Sequence, residues 1–132
     1  AKGLARADGF KLAMFIIPTV YEVDERSYLD LIATHQLNGS DLNRDKPVEA
    51  LAAILGREDI EAINLLPEFR TRSNDSGQQL YIQGDGHFNK EGHRLAASVV
   101  SGNLAKTIHE WEGFDRCRST QAKMPHNSAH AE

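Results

Sequence analysis

The chain has 132 residues, a length that suits one domain with a modest core, and its 40% hydrophobic and 26% charged content is that of a folded globular protein rather than a disordered or fibrous one. A formal net charge of −4 with no basic cluster excludes a nucleic-acid partner held by electrostatics. No apolar run approaches the roughly 20 residues of a membrane-spanning helix, and the single cysteine, Cys117, rules out an internal disulfide and reads as a free surface thiol beside Arg116 and Arg118.

Residues 1–8 read as a helix that ends at Gly9, since glycine takes the positive φ of a helix C-terminus at little cost. The opening AKGLARADGF resembles the tail of a helix entering a strand, so a longer polypeptide is expected. Leu12 to Ile17 carries no polar residue, the pattern of a central strand covered on both faces, and Pro18 closes it because proline cannot donate to the ladder. Residues 24–37 follow as a helix with Asp24 as cap and Tyr28, Leu31, Ile32 and His35 on one face. The turn-rich loop 38–46 leads to a second helix, 47–56, with Pro47 in its first turn, Val48, Leu51, Ala52 and Leu55 inward, and Gly56 as its stop. Residues 61–66 read as a short strand, 67–75 as one helical turn and then loop, and 79–83 as a further short strand or extended segment. The longest helix is expected over 89–111, where Leu95, Ala96, Val99, Val100, Leu104, Ile108 and Trp111 recur at helical spacings. Beyond Trp111 the pattern dissolves. The expected organisation is a domain over 1–111 and a polar mobile tail over 112–132.

Helices alternating with strands favour an α/β fold of three layers with a mostly parallel sheet. Two convincing strands and one short one are too few, because sheets commonly hold about four to six. The remaining strands are expected either upstream in a longer protein or from a second chain.

The stretch GDGHFNKEGH, residues 84–93, concentrates the chemistry. Ligands of open α/β sheets bind beyond the carboxyl ends of the strands, and Asp85 and His87 fall between a strand and a helix. Gly84 and Gly86 flank the aspartate and allow a tight turn. A carboxylate there can hold the Nδ1–H of an imidazole, fix its tautomer and stabilise its charged form while the other ring nitrogen takes a proton from a serine hydroxyl.

LYIQGDGHFNKEGHRLAASVV resembles the carboxyl-terminal motif of the SGNH (GDSL-type) esterase and acyltransferase superfamily, with Phe88 where one branch carries Trp. KLAMFIIPT and INLLPEFR resemble the family's preceding strand and its Leu-x-Pro turn, in the same order, so that the resemblance covers about residues 1–111. It implies the carboxyl-terminal half of a flavodoxin-like SGNH hydrolase fold, with Asp85 as orienting acid and His87 as general base. Asn89 would brace the loop or cap the last helix, and His93 would lie in that helix's first turn without a catalytic part. The implied substrate is a small-molecule, carbohydrate or lipid ester, and no cofactor is implied. The family's Gly-Asp-Ser nucleophile block and its oxyanion Gly and Asn blocks are not found. Gly39-Ser40-Asp41-Leu42 is no substitute, because its order is permuted and it lies in a loop between helices.

Two other readings stand beside this one. Asp85, His87 and His93 are ligand types for zinc, though without a recognised spacing. The apolar strand near the amino end suits a non-catalytic module that self-associates, giving a homo-oligomer through an unpaired sheet edge.

Overall fold

The computed structural model describes residues 2–121. The chain divides into two compact units, Ala1–Val100 and Ser101–Glu132. In the first, α1 (Lys2–Ala7) ends as its glycine dictates: Gly9 has φ 74° and the Phe10 N–H returns to the Ala5 carbonyl at 2.8 Å. Strand β1 (Ala13–Ile16) then pairs in parallel with β2 (Glu61–Asn64), Phe15 lying beside Ile63. Parallel neighbours need a long crossover. Here it consists of α2 (Val20–Val23), α3 (Glu25–His35), one 3-10 turn (Gly39–Asp41) and α4 (Lys46–Arg57). Helix α4 packs on both strands, and its Val48 and Leu55 are buried, as are Ile16 and Ile63.

After β2 the chain enters α5 (Leu66–Ser76), where a loop after one turn was expected. The Asn64 side chain accepts from the Leu66 N–H at 2.9 Å and Pro67 occupies the first turn. The polar remainder of α5 is carried by its start, where Leu66 and Phe69 are buried. Helix α6 begins at Lys90 and continues to Gln121. Residues 112–121, expected as tail, are helical as the continuation of α6. Residues 122–132 lie outside the described residues. The second unit, as far as it is described, is the distal part of α6.

Several expectations need correction. The sheet of the described residues has two strands only, β1 and β2. Residues 79–83 take the extended form, one of the two expected, and make a single antiparallel bridge, Tyr81 to Phe88, because the segment turns back on its own loop. Strand β1 is not covered on both faces: Met14 and Phe15, which alternate between its faces, are both exposed, as is Ile17 just beyond it. Helix α4 runs through Gly56, and the left-handed residue that ends it is Asp59, with the Ile60 N–H closing onto the Leu55 carbonyl at 2.9 Å. Leu51 is exposed rather than inward. The helix expected over 24–37 is present as α3, and the Asp24 carboxylate accepts from the Ser27 N–H at 2.6 Å, as a cap should. The architecture is mixed α and β, largely helical, around a two-stranded parallel sheet.

A polar clamp fixes the end of α2. The Thr19 N–H and hydroxyl both donate to the buried Glu22 carboxylate, at 2.7 and 3.0 Å. The Glu22 main-chain carbonyl accepts from Arg44 at 3.1 Å and from Arg70 at 2.8 Å, and Arg44 also reaches the Tyr21 carbonyl at 3.1 Å. Arg70 pairs with Asp45 at 2.6 Å. Two distant segments thereby hold the chain just beyond β1.

Candidate active site

The loop between Leu80 and Asn89 is a short hairpin. The Ile82 N–H donates to the His87 carbonyl at 2.9 Å, and the Asn89 N–H to the Leu80 carbonyl at 3.0 Å. At its tip the Asp85 N–H closes onto the Ile82 carbonyl at 3.0 Å, with Gly84 at φ 74° in the third position. A type II turn requires positive φ there, which glycine supplies without strain. Gly86 has no positive φ, so of the two flanking glycines only Gly84 uses its freedom.

The turn brings Asp85 and His87 together. One carboxylate oxygen, Oδ1, accepts from the His87 main-chain N–H at 3.0 Å and contacts His87 Nδ1. The side-chain contact, and after it the main-chain bond, hold the Asp85 carboxyl below its ordinary range. An ionised carboxylate only accepts, so the Nδ1 that meets it carries the hydrogen, which leaves Nε2 as the ring nitrogen that can take a proton. The side chains remain open, His87 at 83% exposure and Asp85 at 49%.

Asn89 anchors the base of the loop from both ends of its amide. Its Oδ1 accepts from the Glu91 and Gly92 N–H groups at 2.9 and 3.0 Å, capping α6. Its Nδ2 donates to the Gln79 carbonyl at 2.7 Å and to the Tyr81 carbonyl at 3.4 Å. Phe88, between His87 and Asn89, turns inward and stacks against Phe69 and Tyr81 with centroids 4.9 and 5.2 Å away. The exposed pair thus stands on an aromatic footing, with Phe69 wholly buried.

Tyr81 and Gly92 complete the support. The Tyr81 hydroxyl donates to the Pro18 carbonyl at 2.8 Å, joining the loop to the end of β1. Burial, and then the Glu22 carboxylate, push the Tyr81 phenol far above its ordinary range, so it stays a donor. A Cβ on Gly92 would overlap the Leu80 carbonyl oxygen, so glycine lets the first turn of α6 lie against the extended segment. Neither residue was singled out from the sequence. A glycine in the first turn of a long helix was the available signal, because glycine is unfavourable there without a packing reason.

A groove of about 690 Å³ runs from the loop to α3, bordered by Tyr21, Asp24, His35, Ser73, Gln83 and Asp85. His87 is not among the residues that line it. Ser40 donates to the Asn38 side chain at 2.9 Å within its own 3-10 turn, consistent with a structural place. Asp85, His87 and His93 are not gathered as a metal-binding group, and no group of three or more His, Cys, Asp or Glu is so placed among the described residues. The His93 ring instead stands edge-on to Phe88 at 5.7 Å. Among the described residues no helix is long and apolar enough to cross a membrane. Comparison of the chain with protein-family models, with curated proteins and with solved structures finds no match.

Proposed function

We propose that the Asp85–His87 loop is the acid–base half of an SGNH-type serine ester hydrolase or acyltransferase site, in a fold related to the carboxyl-terminal half of a three-layer, flavodoxin-like domain. The observation that supports this reading is the double engagement of His87 by one oxygen of Asp85, through Nδ1 and through the main-chain N–H. It orients the imidazole and leaves Nε2 to remove a proton from a nucleophile. The serine and the oxyanion donors are contributed by polypeptide that is not among these 132 residues. In the reaction, Nε2 takes the serine proton as the oxygen attacks an ester carbonyl, Asp85 balances the imidazolium, the proton passes to the alcohol as the acyl C–O bond breaks, and water or an acceptor hydroxyl, deprotonated by the same Nε2, then releases the acyl group and returns the proton to serine.

Ester hydrolysis by the natural polypeptide that carries these residues tests the proposal. His87→Ala should lower kcat/KM by about a thousandfold or more at unchanged folding, and Asp85→Asn comparably. Full activity in His87→Ala sinks the assignment. The 132-residue chain by itself should take no adduct from a fluorophosphonate serine probe in an intact-mass measurement.

A further inference from the structure

We infer that Asn38 is a site of spontaneous covalent modification, where the Gly39 nitrogen displaces the side-chain amide at a rate set by the bonds of Asn38 to Ser40 and Asp41. The sequence holds one Asn-Gly pair, and every other asparagine precedes a residue with a side chain. Glycine has no Cβ to keep its nitrogen from the preceding side chain, so this pair closes a five-membered ring most readily. The structure leaves both partners accessible. Residues 38–41 are all exposed. Gly39 opens the 3-10 turn, so its N–H has no acceptor within that turn.

In the reaction the Gly39 nitrogen gives its proton to hydroxide and attacks Cγ of Asn38. The Cγ–Nδ2 bond breaks, and ammonia leaves with a proton from water. Water then opens the resulting succinimide at one of its two carbonyls. Cleavage at Cγ gives aspartate, and cleavage at the main-chain carbonyl gives isoaspartate, with one more methylene in the backbone.

The same turn holds the reaction back. Asn38 has ψ 108°, which directs the Gly39 nitrogen away from Cβ, whereas ring closure needs ψ of the opposite sign. Its Oδ1 accepts from the Ser40 hydroxyl at 2.9 Å and from the Ser40 N–H at 3.3 Å, and its Nδ2 donates to Asp41 Oδ2 at 3.0 Å. These bonds must break before the ring forms. They are exposed, and a hydrogen bond that exchanges with water contributes modestly, so the closed turn slows the reaction without stopping it. The product loosens the turn further. Once residue 38 is acidic, a carboxylate oxygen faces Asp41 where an amide donated, and like charges repel. The affected turn lies in the crossover between α3 and α4.

The test keeps the 132-residue chain at mildly alkaline pH and digests samples with trypsin. The peptide from Ser27 to Arg44 is followed by mass and fragmentation, and isoaspartate is counted by enzymatic methylation. Asn38 should convert before every other asparagine, yet more slowly than in the same chain unfolded in urea. Ser40→Ala should quicken the conversion about threefold or more, because the cap loses its hydroxyl donor, and Ser40→Thr, which keeps the hydroxyl, should not. Gly39→Ala should slow it at least about tenfold. Its new Cβ would meet only the tip of the Ile32 side chain, at 3.3 Å, so the fold should tolerate it. An Asn38 that stays intact in the folded chain while the urea-unfolded chain converts overturns the site. A folded rate equal to the unfolded one, or unchanged in Ser40→Ala, overturns the control by the turn.

Discussion

The Tyr81 hydroxyl reaches across 63 positions of sequence to the carbonyl of Pro18, so the root of the Asp85–His87 loop is tied to the carboxyl end of β1. This bond is buried and its donor cannot ionise under ordinary conditions. Tyr81→Phe keeps the ring against Phe69 and Phe88 but leaves the Pro18 carbonyl without its phenolic donor. We expect a loss of about 1–3 kcal/mol of stability, measured by urea denaturation, with the secondary structure unchanged.

Gly92→Ala tests the close approach of α6 to Leu80. Helix propensity alone would favour alanine by about 1 kcal/mol. Overlap with a main-chain oxygen should win, because backbone cannot swing aside as a side chain can. The expected outcome is a destabilisation of about 1–3 kcal/mol by thermal or urea unfolding. A stabilised variant would show that the loop and helix separate readily.

Asn89 has two tasks that two substitutions can separate. Asn89→Ala removes both and should cost about 1 kcal/mol for the cap alone. Asn89→Asp keeps an acceptor for the Glu91 and Gly92 N–H groups but loses the donor to Gln79 and Tyr81. It should therefore retain most of the stability of α6 while amide exchange at residues 82–88 quickens. Equal exchange in both proteins would deny the bracing role.

Asp85 sets a pH dependence whose sign follows from its lowered carboxyl pKa. A carboxylate that titrates lower in the folded chain favours folding above its unfolded value, about 3.9. That contribution is lost as pH falls through the folded value. The contact between Asp85 and His87 should accordingly persist at neutral pH and dissolve in acid. Carbon-13 NMR of the Asp85 carboxyl should give a midpoint below about 3.9 that rises toward it in His87→Ala. An unmoved midpoint would assign the shift to the main-chain N–H of residue 87, which alanine keeps.

The contact between Asp85 and His87 was more legible in the sequence than the sheet was. An acid and a histidine two residues apart between an extended segment and a capped helix constrain each other locally, so spacing alone brought Asp85 to His87. The cap at Asp24 was readable for the same reason. Exposure was not local. The Leu12–Ile17 run has the composition of a doubly covered strand, but coverage is decided by neighbours that no short window contains. The polar sequence of α5 hid a helix whose stability comes from Leu66 and Phe69 in the core and from Asn64 at its start. Arg44 and Arg70 gave no sign that they meet at one carbonyl, because a main-chain acceptor leaves no mark on composition.

That last arrangement has an evolutionary corollary. The two guanidinium groups grip peptide oxygens rather than the side chain of residue 21. Every amino acid supplies the same oxygen, so this position, which is among those that border the groove, is free to diversify without loosening the clamp beneath it. The arginines have no such latitude, since lysine lacks the planar fork that lets Arg44 bridge two successive carbonyls. A lineage descended from this chain is thus free to rewrite residue 21 while the scaffold that the two arginines hold stays the same.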